Sequence, residues 1–109
     1  MSRDAAPVRI VAFVDDLLDR SRVANALPDV AFVRDAAAVG PADVVLVDVA
    51  THGHELPAMR AASPQARIVA FGQHTDVEAL DAARQAGADV VWPRSRFFRD
   101  PAAAVAADA

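Results

Sequence analysis

The chain has 109 residues and not one cysteine, which excludes a disulfide scaffold, a thiolate metal site and a cysteine nucleophile. Lysine is missing too: all 11 basic residues are arginine, so chemistry that needs a lysine amine is closed to this protein. Its four glycines fall in no GxGxxG or Walker spacing, so there is no glycine-rich phosphate loop. No apolar run approaches the roughly 20 residues of a membrane-spanning helix. The opening MSRDAAP contains no apolar signal core, and the expected location is the cytoplasm. Positive charge is in deficit, with 11 basic against 15 acidic residues and a net charge of −4. That balance gives no electrostatic reason to expect nucleic acid or an anionic membrane as partner.

What is present is apolar: 54% of the residues are hydrophobic, enough for one well-formed core at a length that suits one domain. Residues 8–14 (VRIVAFV), 30–33 (VAFV), 43–49 (DVVLVDV), 67–71 (RIVAF) and 89–92 (DVVW) read as strands. Several are near-continuous Val, Ile and Phe, as expected for parallel strands covered on both faces. Helices are expected at 16–27, 35–39, 55–62, 76–86 and 101–107. This alternation predicts an α/β fold, a doubly wound five-stranded parallel sheet with the flavodoxin-like order 2-1-3-4-5. One domain spans 1–109, with 1–7 as a flexible N-terminus and 101–109 as a short C-terminal helix.

Local signals support these boundaries. Thr75 and Glu78 form a candidate capping box, and Val77, Leu80 and Ala83 give the following helix an inward stripe. Gly87 stands where a helix ends in a left-handed residue. Asp100 and Pro101 read as N-cap and first helical position.

Asp15 and Asp16 follow the first strand, and Asp48 ends the third. In a doubly wound sheet, ligands bind beyond the carboxyl ends of the strands where the order reverses, which lies between strands one and three. Three carboxylates converging there resist joint ionisation unless a cation intervenes, and hard oxygen ligands suit Mg²⁺. Alternatively, Asp15 or Asp16 simply caps the first helix and Asp48 is a solvated strand end.

With its VRIVAFVDD, DVVLVD and AGADVVW segments, the chain resembles the receiver domain of bacterial response regulators over nearly its whole length. The resemblance implies that Asp15, Asp16 and Asp48 hold Mg²⁺ weakly and that Asp48 is the phosphoacceptor. An aspartate carboxylate attacks a phosphoryl group while Mg²⁺ neutralises the transferred oxygens. The family's hydroxyl residue at the end of strand four falls on Gly72. Its lysine falls near Arg94, a candidate substitute with a planar fork in place of a point charge. The aromatic switch position falls on Val91, and the usual turn after the phosphoacceptor is replaced by Ala50-Thr51-His52-Gly53-His54. These departures imply a degenerate, stand-alone receiver-like module of two-component type, not an enzyme, with slow or absent phosphorylation of Asp48. A working phosphoacceptor receiver and a small ligand-binding or hydrolytic domain in the same pocket are the alternatives.

His52, His54 and His74 read as exposed loop residues, since a His-x-His spacing in a loop matches no helical metal-ligand pattern. Residues 94–99 (RSRFFR) form a small basic patch with interleaved aromatics. Three of the six aromatic residues, Trp92, Phe97 and Phe98, fall within seven positions. They either pin the last helix to the core or build a homodimer or partner face with an arginine rim. A sensor kinase is the partner that the resemblance implies.

Overall fold

The computed structural model describes residues 8–38 and 40–107; the segment 1–7, expected to be flexible, lies outside them. Five parallel strands, β1 (Ile10–Phe13), β2 (Ala31–Phe32), β3 (Val44–Asp48), β4 (Arg67–Gly72) and β5 (Val90–Pro93), form one sheet in the order β2-β1-β3-β4-β5. The expected fold class and strand order are both present. Six helices connect or follow the strands among the described residues: α1 (Leu17–Ala26), α2 (Val49–His52), α3 (Leu56–Ala62), α4 (Val77–Gln85), α5 (Arg94–Arg99) and α6 (Pro101–Ala106). A 3₁₀ turn at Ala36–Ala38 stands where a helix over 35–39 was expected.

The strands read as continuous apolar runs because both faces of the sheet are covered. Val11, Phe13, Val45, Val47, Ile68 and Ala70 point to one side, where Leu56 and Met59 of α3 and Ala83 of α4 close the core. The alternating residues, Ala12, Val14, Val44, Leu46, Val69 and Phe71, point to the other, against Val23 of α1, Phe97 of α5 and Ala104 of α6. A period of two thus divides each strand between two cores.

Several local expectations hold. Gly87 has φ +111°, a conformation that strains any residue with a Cβ. The Asp100 side chain accepts a hydrogen bond from the Ala103 amide, with Pro101 opening α6. Others need correction. Asp76, not Thr75, caps α4, its Oδ1 accepting from the Ala79 amide at 3.2 Å. Moving the helix start by one residue leaves Val77 exposed in the first turn, so only Leu80 and Ala83 of the predicted stripe are buried.

Two helices lie where loops were expected. Residues 49–52 continue directly from β3 as α2, because the Asp48 side chain caps that turn. Residues 94–99, read as a basic patch, form α5. Its Phe97 is fully buried, stacked on Phe71 with ring centroids 4.4 Å apart and planes at 11°. Phe97 is therefore core, not part of an exposed dimer face, whereas Phe98 is half-buried edge-on to both rings. No helix among the described residues is long and apolar enough to cross a membrane.

Candidate functional site

β1 and β3 are hydrogen-bonded neighbours with Phe13 opposite Val47, so the segments that follow them leave the same edge of the sheet. Asp15, Asp16 and Asp48 consequently share the carboxyl edge, as the strand order requires. The structure does not turn them toward one point.

Asp15 is exposed, and its Oδ1 lies 3.0 Å from His52 Nε2. That hydrogen bond holds its carboxyl below the usual carboxylate range. Asp16 is the N-cap of α1, its Oδ1 accepting from the Leu18 amide at 3.2 Å. Asp48 is 7% exposed. Its Oδ1 accepts from the Ala50 amide at 3.1 Å, and its Oδ2 faces Arg94 Nη1 at 3.9 Å. Burial raises the Asp48 carboxyl above its ordinary value; the Ala50 amide and the Arg94 guanidinium offset only part of that cost.

Arg94 opens α5 and enters the site at the predicted place, but its strongest contact is with another residue. Its Nη2 donates to both carboxylate oxygens of Asp19, at 2.9 and 2.8 Å. Asp19, on the first turn of α1, is 4% exposed, and a buried carboxylate needs such a partner. The guanidinium also lies over the Phe71 and Phe98 rings, 5.5 and 5.0 Å from their centroids. Asp19 was missed in the sequence. It sits four residues beyond Asp15, on a helix start already rich in acids, and nothing local distinguishes it from a solvated first-turn aspartate.

His52 corrects a second expectation, for it is 6% exposed on α2 and not a loop residue. Besides Asp15, it contacts Glu55 Oε2 through Nδ1 at 2.5 Å, and its ring packs edge-on against Phe13. Burial by itself lowers the imidazole pKa, but the two carboxylates outweigh it and the net shift is upward. The available signal was the four-residue spacing from Asp48 to His52, one helical turn. His54 and His74 are exposed, as expected.

Gly72 ends β4 opposite Pro93 of β5. Among the described glycines only Gly87 has positive φ, so backbone conformation does not require glycine at position 72. A Cβ there would stand 3.1 Å from Leu80 Cδ2, a crowded contact with a flexible side-chain end, and 3.5 Å from Val49 Cβ, an ordinary one.

A divalent cation, which the resemblance implies, requires several oxygen lone pairs aimed at one centre. The donor set does not fit that requirement. Asp16 and Asp48 each give an oxygen to a helix-start amide, Asp15 is held by His52, and Arg94 faces Asp48. Among the described residues no group of three or more His, Asp or Glu is arranged to hold a metal ion. A hollow of about 320 Å³ lies beside α2 and α4, lined by Val49, Leu56, Pro57, Ala79 and Ala83 among others, and it includes none of Asp15, Asp16, Asp48 or Arg94.

Comparison with solved structures places this architecture in a class. A response regulator from Burkholderia pseudomallei, with a phosphorylated aspartic acid, a calcium ion and citrate, matches with a TM-score of 0.76 at 16% identity, over 91% of this chain and 66% of that one. The chain thus spans just under two thirds of that protein's length. A response regulator from Thermotoga maritima matches with a TM-score of 0.68 at 16% identity, over 93% and 100% of the two chains. A Sinorhizobium meliloti 1021 protein described as CpaE2, of pilus assembly, matches at 0.61 and 16% identity, over 84% and 95%. The fold is that of the response regulator receiver domain, in a chain of low sequence identity to those structures. No protein-family profile matches the sequence, and no curated protein matches it either.

Proposed function

We propose that this protein is a cytoplasmic, receiver-fold signalling module of two-component type that acts by binding a protein partner, without catalysis and without phosphoryl transfer at Asp48. One observation carries the reading: Asp48 is buried, with one oxygen held by the Ala50 amide and the other facing Arg94. Beside Gly72, where the family's hydroxyl residue falls, a Cβ would crowd the end of the Leu80 side chain at 3.1 Å. Arg94, the stand-in for the family's lysine, is committed to Asp19 and reaches Asp48 only at 3.9 Å. A phosphoryl group on Asp48 would bring further negative charge beside buried Asp19, with one guanidinium, that of Arg94, shared between the two carboxylates.

A sensor kinase or another signalling protein is the partner class that the fold supports. Self-association through the β5–α5 face belongs to the same proposal, and there it rests on half-buried Trp92, with the Arg96 guanidinium 3.8 Å from its ring centroid.

Mass spectrometry of the intact protein after incubation with acetyl phosphate and Mg²⁺ tests the reading. The expected result is an unmodified mass under conditions that label a conventional response regulator. Stoichiometric addition that disappears in Asp48→Asn would overturn it and make the protein a working phosphoacceptor.

A further inference from the structure

His52 leaves α2 and inserts between two carboxylates from different elements, Asp15 after β1 and Glu55 after α2, with its two ring nitrogens 3.0 and 2.5 Å from their oxygens. Each ring nitrogen thus has a carboxylate oxygen as its partner, an arrangement that a ring protonated on both nitrogens satisfies in full. Phe13 packs against it, and the ring is almost wholly out of solvent. In that form the ring places a positive charge at the carboxyl edge, against Asp15. On the α1–α5 side, Arg94 supplies a second to Asp19 and Asp48. Asp16 Oδ1 and Asp48 Oδ1 each accept from a helix-start amide, that of Leu18 and that of Ala50.

We propose that the His52 ring is the built-in counter-ion of this edge, standing against Asp15 where a divalent ion would otherwise bind, so that the protein takes up no divalent cation there. The physical reason is competition for the same oxygens. A hard cation must approach carboxylate oxygens to about 2.0–2.6 Å and gather several of them, and an imidazolium on Asp15 with a guanidinium facing Asp48 opposes that by repulsion and by occupancy. The proposal rests on the receiver-fold reading of the edge but not on any phosphoryl chemistry, so the two fail separately. Protein that binds Mg²⁺ yet stays unlabelled by acetyl phosphate would overturn this inference alone; protein labelled without taking up metal would overturn only the proposed function.

The test is Mn²⁺ and Mg²⁺ addition to the full chain at fixed pH, followed by NMR of backbone amides and of the His52 ring. In the wild type, the amides of Asp15, Asp16 and Asp48 should respond to Mn²⁺ no more than those of exposed Asp29 and Asp81. Both ring N–H signals of His52 should persist. His52→Ala, which frees Asp15, should bind the ion saturably and at least about tenfold more tightly than the wild type. If that variant does not fold, His52→Gln removes the charge while keeping a neutral donor and much of the volume, and the same gain is expected. Saturable wild-type binding centred on Asp15 and Asp48 with loss of the ring signals would overturn the proposal. So would a folded His52 variant with no gain.

Discussion

Arg94 and Asp19, 75 positions apart, meet through a single guanidinium nitrogen that donates to both oxygens of a carboxylate almost wholly out of solvent. The contact joins the first turn of α5 to the first turn of α1 across the sheet edge, and it decides how much of Arg94 is left for Asp48. Removing the cation strands a buried negative charge, which is more costly than the net worth of the pair. Arg94→Ala should therefore destabilise the fold by about 3 kcal/mol, the lower end of the range for breaking buried pairs, because Arg94 itself keeps some exposure. Urea denaturation reads this directly. A loss within the scatter of ordinary surface substitutions would show that Asp19 is solvated in the folded protein. Removing both partners, with Asp19→Leu added to Arg94→Ala, should recover part of the loss.

Gly72 tests whether space, rather than backbone conformation, excludes a side chain at the end of β4. Its φ is not positive, so Gly72→Ser should fold. The new Cβ displaces the end of Leu80 by a few tenths of an ångström, at a cost of about 1 kcal/mol. Gly72→Ser combined with Leu80→Ala should lose the part of the penalty due to that contact, measured as non-additivity of the two changes. Additive losses would show that Leu80 and position 72 do not meet.

Stability should respond to pH in opposite directions at two places. The folded state raises the His52 pKa, so its contribution is full below about pH 6.5, the unfolded value, and is lost as pH rises through the raised folded value. Asp89 is the reverse case. Burial pushes its carboxyl up, but the Ile68 amide and Arg60 hold it below its ordinary value. Its contribution is full above about pH 4 and is lost as pH falls through the depressed value. Asp48, raised by burial, opposes the acid loss, since protonation is easier in the fold than in the unfolded chain. Thermal melts across pH should show stability declining on the alkaline side of about pH 6.5, and that decline should vanish in His52→Gln. An unchanged profile in the variant would remove His52 as its source.

The aromatic cluster separates core from surface. Phe97→Ala empties a site stacked on Phe71 and should cost about 3–5 kcal/mol. Phe98 also packs on both rings, so its loss would confuse stability with association. Trp92→Ala and Arg96→Ala are the cleaner probes of self-association. If the β5–α5 face forms a homodimer, Trp92→Ala should weaken it by about 1–2 kcal/mol in sedimentation. A wild type that remains monomeric at every concentration would refute the dimer.

Strand positions, strand order and the two-sided core were legible in the sequence. Continuous apolar runs such as VVLV at Val44–Val47 are a local record of burial on both faces, and a period of two needs no tertiary information to be read. The placement of Asp15, Asp16 and Asp48 at one edge followed from the same reasoning, as did the left-handed glycine at Gly87 and the cap at Asp100. What the tertiary structure alone decided is the partner of each charge. Asp19 looks like any acidic residue in a first turn until α5 delivers Arg94, and His52 looks like a loop histidine until Asp48 caps α2 and turns its ring beneath Asp15. Nothing near Gly72 in the sequence shows that the side chain of Leu80, eight residues later, crowds the position. Burial is written in local periodicity, whereas charge pairing and excluded volume depend on which distant side chains the crossovers bring within a few ångströms.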